Sequence, residues 1–307
     1  MKYSMTAPPP SGAMMMGGGP PVAPDTRPAR SLRLTKFDMS RIADDSTVLF
    51  IGKRNTGKSY LIKDLLWHKQ RVPIGTVISG TEGANAFYSK MVPSLFIHEE
   101  FNPVILSNVL KRQQILTKQI MKETEVRGAS AIDRRTFVIM DDCMYDNKWV
   151  SDKYIRSLFM NGRHFGILYI LALQYVMGIP PVLRGNVDYV FILRENMVAN
   201  RKRIYEQFAG IFPTFEFFCQ IMDQCTENFE CLVIHNGCKT NRLEDAVFWY
   251  KAAPRPEFRI GAPEFWTKSA EMERLKEAAE AAGETEPPIS STDLGRSKGP
   301  VIHVKKY

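Results

Sequence analysis

The chain has 307 residues, 44% of them hydrophobic and 24% charged, and a formal net charge of +8. This composition excludes a fibrous or wholly disordered protein and supplies enough apolar residues for one large domain, or at most two. The positive balance favours an anionic partner such as nucleic acid, although charge alone does not choose one.

Residues 1–30 are rich in Pro, Gly, Met and Ala, with MMMGGGPP at 14–21. Such a segment buries too little apolar surface to offset its ordering entropy and reads as a disordered tail. A compact domain is expected over 31–253, its first stretch adding an edge strand or packing beside the first buried strand. That strand is Val48-Leu49-Phe50-Ile51, and it runs into Gly52-Lys53-Arg54-Asn55-Thr56-Gly57-Lys58-Ser59, which fits G-x-x-x-x-G-K-[ST] at every fixed position. The glycines allow backbone angles that a Cβ forbids, and the loop N–H groups, with the N-terminus of the helix from Tyr60 to about Gln70, cradle phosphate oxygens. Lys58 reaches the β- and γ-phosphates and the Ser59 hydroxyl ligates Mg²⁺. The expected ligands are therefore a nucleoside triphosphate and Mg²⁺.

Short β-branched or apolar runs at 75–79 and 95–98 predict two further strands. Residues 103–127 predict a long amphipathic helix stopped by Gly128. Its periodicity is broken at Gln113, and Lys111, Arg112, Lys118, Lys122 and Arg127 decorate it. Thr136–Met140 predicts a strand ending in Asp141-Asp142. In phosphate-loop enzymes an Asp at such a strand end helps hold Mg²⁺, and a carboxylate directly after it can deprotonate the attacking water. Asp141 is thus the candidate metal ligand and Asp142 the candidate base.

A helix is expected over 149–160. The continuous apolar run Phe165–Leu173 predicts a strand covered on both faces, and it ends in Gln174. A polar side chain there lies at the carboxyl edge of a parallel sheet, where ligands bind, so Gln174 is a candidate to sense the γ-phosphate or to position the attacking water. Residues 178–181 (GIPP) predict a loop, because successive prolines continue neither a helix nor a central strand. A strand over 187–193 and helices over 197–210 and 214–224 follow. Cys231–Ile234 and Ala246–Tyr250 predict two late strands, with Asn236-Gly237 in the turn between them. Residues 254–307 read as a linker, a charged helix over 263–282 and a basic tail.

The five cysteines, an odd number without a C-x-x-C pair, suggest reduced thiols in a cytosol-like compartment. Cys231, His235 and Cys238 lie close in sequence but lack a fourth ligand at zinc-finger spacing. There is no signal-peptide core, and Phe165–Leu173 is too short to span a bilayer, so no membrane insertion is expected.

Strands alternating with helices predict an α/β fold: a phosphate-loop NTPase with a mostly parallel central sheet and helices on both faces. The combination of GKRNTGKS (52–59), FVIMDDC (137–143), NGRHFGILYILALQ (161–174) and RGNVDYVFILREN (184–196) resembles the poxvirus-type genome-packaging ATPases of large DNA viruses, members of the FtsK/HerA-like superfamily. The resemblance covers about residues 45–250. It implies a ring-shaped homo-oligomer that hydrolyses ATP to drive double-stranded DNA into a preformed capsid. Capsid or procapsid proteins are then partners, and the setting is host cytoplasm or virion. It also implies an arginine finger from a neighbouring subunit, for which Arg163 and Arg184 are the candidates. A small-molecule kinase on the same phosphate loop and a cellular-type DNA pump are the alternatives.

Overall fold

The computed structural model describes residues 32–143, 149, 151–176, 179–240 and 242–281. The expected tails at 1–30 and beyond 281 lie outside the described residues. Among the described residues nine strands form one sheet: β1 (Thr35–Lys36), β2 (Thr47–Ile51), β3 (Ile74–Ser79), β4 (Ile97–His98), β5 (Thr136–Asp141), β6 (Ile167–Leu173), β7 (Tyr189–Ile192), β8 (Glu230–His235) and β9 (Val247–Lys251). Their order is β1-β9-β8-β7-β2-β6-β5-β3-β4. Only β8 runs against the rest, pairing antiparallel with both β7 and β9.

The central strands read as uninterrupted apolar runs because both faces are covered. Every residue of β2, β5 and β6 is buried. On one face Val48 and Phe50 of β2 meet Leu61, Ile62, Leu65 and Leu66 of the helix Lys58–Trp67, together with Phe37, Met39 and Ile42. On the other face Phe159, from the helix Lys153–Asn161, packs edge-on against Tyr169 at 5.1 Å. Asp152 starts that helix by accepting hydrogen bonds from the Tyr154 and Ile155 N–H groups, so the helix begins four residues later than the sequence predicts.

Gln113 does not break the helix Pro103–Arg127. It is fully buried, and its amide donates to the carbonyls of Arg134 (2.6 Å) and Phe165 (2.7 Å), tying the helix to the entries of β5 and β6. Gly128 ends the helix at φ +77°, the left-handed cap a glycine accepts most readily. Among the basic residues on this helix, Arg112 donates to Thr136 Oγ1 at 2.9 Å and is therefore committed to the fold. Of the loop expected over 178–181, residue 178 lies outside the described residues, and the last residue, Pro181, opens a short helix, Pro181–Arg184. A proline at the first helical position loses no hydrogen bond, so the second proline starts this turn.

The stretch after Ala253, expected as a linker, is fastened to the body. Asp64, fully buried on the helix that follows the phosphate loop, accepts from Tyr250 Oη (2.7 Å), the Ala253 N–H (2.9 Å) and Arg255 Nε (2.6 Å). Farther on, the Ile260 N–H donates to the Met91 carbonyl, the Ala262 N–H donates to the Pro73 carbonyl, and Phe265 of the helix Pro263–Ala281 meets Phe96 edge-on. Replacing Asp64 with alanine leaves a guanidinium and a buried phenol without their acceptor. The expected loss is about 3 kcal/mol of stability, read by denaturant unfolding.

Candidate functional site

The phosphate loop sits at the carboxyl edge of the sheet. The Gly52 N–H donates to the Leu173 carbonyl at 3.0 Å, so the loop starts against the end of β6. A Cβ on Gly52 would come within 2.7 Å of both Leu193 Cβ and Thr56 Oγ1, which leaves room for glycine alone. Gly57 is needed for its backbone instead, at φ +104° as the cap of the helix Lys58–Trp67. Thr56 Oγ1 donates to the Lys53 carbonyl at 2.7 Å and holds the turn closed. Lys58 is buried, and its ammonium donates to the Gly52 (2.7 Å) and Lys53 (3.1 Å) carbonyls. Burial lowers its pKa, and the nearby Asp142 and Asp141 carboxylates oppose that shift.

Parallel pairing brings the acidic pair to the same edge. β6 lies between β2 and β5, and Asp141 at the end of β5 pairs in register with Ala172 of β6. Asp141 is buried; Tyr88 Oη donates to its Oδ2 at 2.7 Å, and its Oδ1 is buried with no partner. Burial pushes its pKa up to about 6, the Tyr88 hydrogen bond pulls it down, and the Asp142 charge raises it again. Asp142 has φ +48° and also buries an unpartnered Oδ1. Asp tolerates that left-handed conformation better than most residues. The two orphaned carboxylate oxygens are what a bound cation would satisfy, and the buried lysine within their electrostatic reach is what a polyphosphate would meet.

Gln174 leaves β6 directly after Leu173, which accepts from Gly52, so it lies beside the start of the phosphate loop. Arg163 and Arg184 lie elsewhere. Both precede strands, at the amino edge of the sheet and away from this chain's own phosphate loop. Arg163 forms an ion pair with Asp188, whose other oxygen accepts from the Thr47 N–H.

Three contributors carry no motif and escape a sequence reading. Tyr88 and Glu82 come from the segment after β3. Glu82 accepts from the Tyr88 (2.9 Å) and Ser89 (2.8 Å) N–H groups and thereby sets the phenol against Asp141. Glu195, buried just after β7, forms an ion pair with Lys53 of the phosphate loop at 2.7 Å and accepts from the Met197 N–H and the Asn200 amide. The only available signal was position: both glutamates follow predicted strands at the ligand-binding edge.

Among the described residues, no three His, Cys, Asp or Glu side chains gather as a metal-binding group, and no helix is long and apolar enough to cross a membrane. Cys231 is buried in the core, His235 stacks on Tyr189, and all five cysteines are free thiols.

No family model matches the chain. Uncharacterized protein L437 of Acanthamoeba polyphaga mimivirus is 39% identical over 234 residues, spanning 76% of this chain and 81% of that protein. Uncharacterized protein 075L of Invertebrate iridescent virus 6 is 42% identical over 207 residues, spanning 66% of this chain and 76% of that protein. Among solved structures, the genome packaging NTPase B204 of Sulfolobus turreted icosahedral virus 2, in complex with sulfate, is similar at 15% identity. Its TM-score is 0.45, over 70% of this chain and 100% of that one.

Proposed function

This chain belongs to one protein family with mimivirus L437, and we propose that it is an ATP-hydrolysing motor that moves double-stranded DNA, packaging a viral genome into a preformed capsid. The observation that carries hydrolysis is the meeting, at one sheet edge, of the Lys58 loop with the carboxylates of Asp141 and Asp142, each with a buried Oδ1 that lacks a partner. The narrower reading, packaging, is supported by the resemblance of residues 45–250 to viral packaging ATPases and by the net charge of +8.

Ser59 and Asp141 would hold Mg²⁺, which neutralises charge on the phosphates. This matches the preference of that ion for one or two carboxylates alongside phosphate oxygens. Lys58 turns its ammonium from the loop carbonyls to the phosphates. Asp142 takes the proton of the attacking water, and Gln174, at the end of the intervening strand, orients that water. Tyr88 holds Asp141 in place. Tyr88→Phe keeps the ring and loses the hydrogen bond to a charged acceptor, so kcat for ATP should fall about tenfold in a steady-state assay.

Because Arg163 and Arg184 lie at the amino edge, either serves as a finger only in a neighbour's site, within a ring of like subunits. A variant lacking the finger and a Lys58→Ala variant, each inactive, should then regain activity when mixed.

ATP hydrolysis measured with and without duplex DNA tests the assignment. Stimulation by DNA is expected. Phosphate transfer to a nucleoside or metabolite, unaffected by DNA, would identify a kinase instead.

A further inference from the structure

The hydrolytic reading leaves the loop before β8 unused. Because β8 is antiparallel to β7, its first residue, Glu230, lies at the same edge as the phosphate loop. Just ahead of it, Asn228 and Phe229 hold φ values of +50° and +64°. Phenylalanine rarely adopts this left-handed conformation, because its Cβ crowds the following carbonyl. Such strain persists only where the surroundings enforce it, and it clusters at ligand sites. Nor is the ring tucked into the core: Phe229 is 66% exposed. What it approaches is the phosphate loop, since a Cβ placed on Gly57 would lie 3.7 Å from Phe229 Cδ1.

The sheet order gives the ring a purpose. Asp141, Asp142 and Gln174 follow β5 and β6, on one flank of β2, whereas β7 and β8 form the other flank. The terminal phosphate must point at the acids. The remainder of the nucleotide therefore leaves toward the β7–β8 flank, where Phe229 stands. Tyr60, also exposed beside the loop, sits against Phe87, next to the phenol that binds Asp141, and so marks the acid flank.

We propose that Phe229 is the platform on which the base of the bound nucleoside triphosphate stacks, an inference that rests on the nucleotide-site reading above. Stacking uses the π-face common to all bases and is worth roughly tenfold or more in affinity. Leucine at 229 would keep apolar cover over Gly57 while removing the ring.

The test is calorimetric binding of ATP and of inorganic tripolyphosphate, each with Mg²⁺, to the full chain and to Phe229→Leu and Phe229→Trp. The expected result is about tenfold weaker ATP binding by Phe229→Leu, with tripolyphosphate binding unchanged. Phe229→Trp should retain ATP affinity, and its added fluorescence over the native chain should be quenched by ATP but not by tripolyphosphate. Native ATP affinity in Phe229→Leu, or equal loss of both ligands, overturns the stacking role. Failure of the unaltered chain to bind either ligand overturns the nucleotide site itself, and the stacking role with it.

Discussion

Asp141→Asn is expected to abolish ATP hydrolysis and, in the same protein, to raise the stability of the metal-free fold by about 2 kcal/mol. Both effects come from one buried carboxylate. Burial lifts its pKa from the ordinary 3.8 to about 6, so the folded state binds that proton more tightly than the unfolded chain does. The ionised form is therefore a cost, absent below pH 3.8, growing as pH rises to about 6, and complete at neutral pH. A rise of that size corresponds to about 3 kcal/mol. The asparagine amide can still accept from Tyr88, but its new N–H groups take the place of the unpartnered Oδ1, which returns part of the gain. In a thermal melt at pH 7 without Mg²⁺ the variant should unfold about 5 °C higher, and the difference should shrink as pH falls toward 4. An asparagine variant that hydrolyses ATP normally would remove Asp141 from the site. A variant less stable than the parent at pH 7 would contradict the buried-charge account.

The second large effect is expected at Lys58. Its alanine variant should lose at least about 100-fold in hydrolysis, the scale for removing one preorganised charge from developing phosphoryl charge. The fold around it should survive, because the ammonium hydrogen-bonds to the Gly52 and Lys53 carbonyls, and water can replace it there once the side chain is gone. Far-UV circular dichroism unchanged from the parent, with hydrolysis lost, is the expected pair of results. Normal hydrolysis by Lys58→Ala would end the phosphate-loop assignment.

The sequence made the strand-to-loop junction at 48–59 legible because the chemistry there is local. Glycines at fixed spacing, a lysine and a hydroxyl must follow one strand, and the structure places them so. The acidic pair was legible for the same reason, an apolar run ending in two carboxylates. Tyr88 was not, because its role depends on Glu82, at the start of the single helical turn Glu82–Asn85, holding the backbone at 88–89, and a segment this short has no periodicity to read. Gln113 read as a flaw in an amphipathic helix because its two acceptors, the Arg134 and Phe165 carbonyls, come from distant parts of the chain. Pro181 read as part of a loop because sequence alone does not separate a proline that blocks a helix from one that starts it. The run after Ala253 read as a linker because the carboxylate that anchors it, Asp64, precedes Ala253 by 189 residues.

Movement along duplex DNA is the central claim, and displacement of a triplex-forming oligonucleotide from a linear duplex measures it most directly. The unaltered chain should release the oligonucleotide when ATP is present and retain it without ATP, and Asp142→Asn should retain it in both conditions. ATP hydrolysis at full rate with the triplex left intact would contradict the motor.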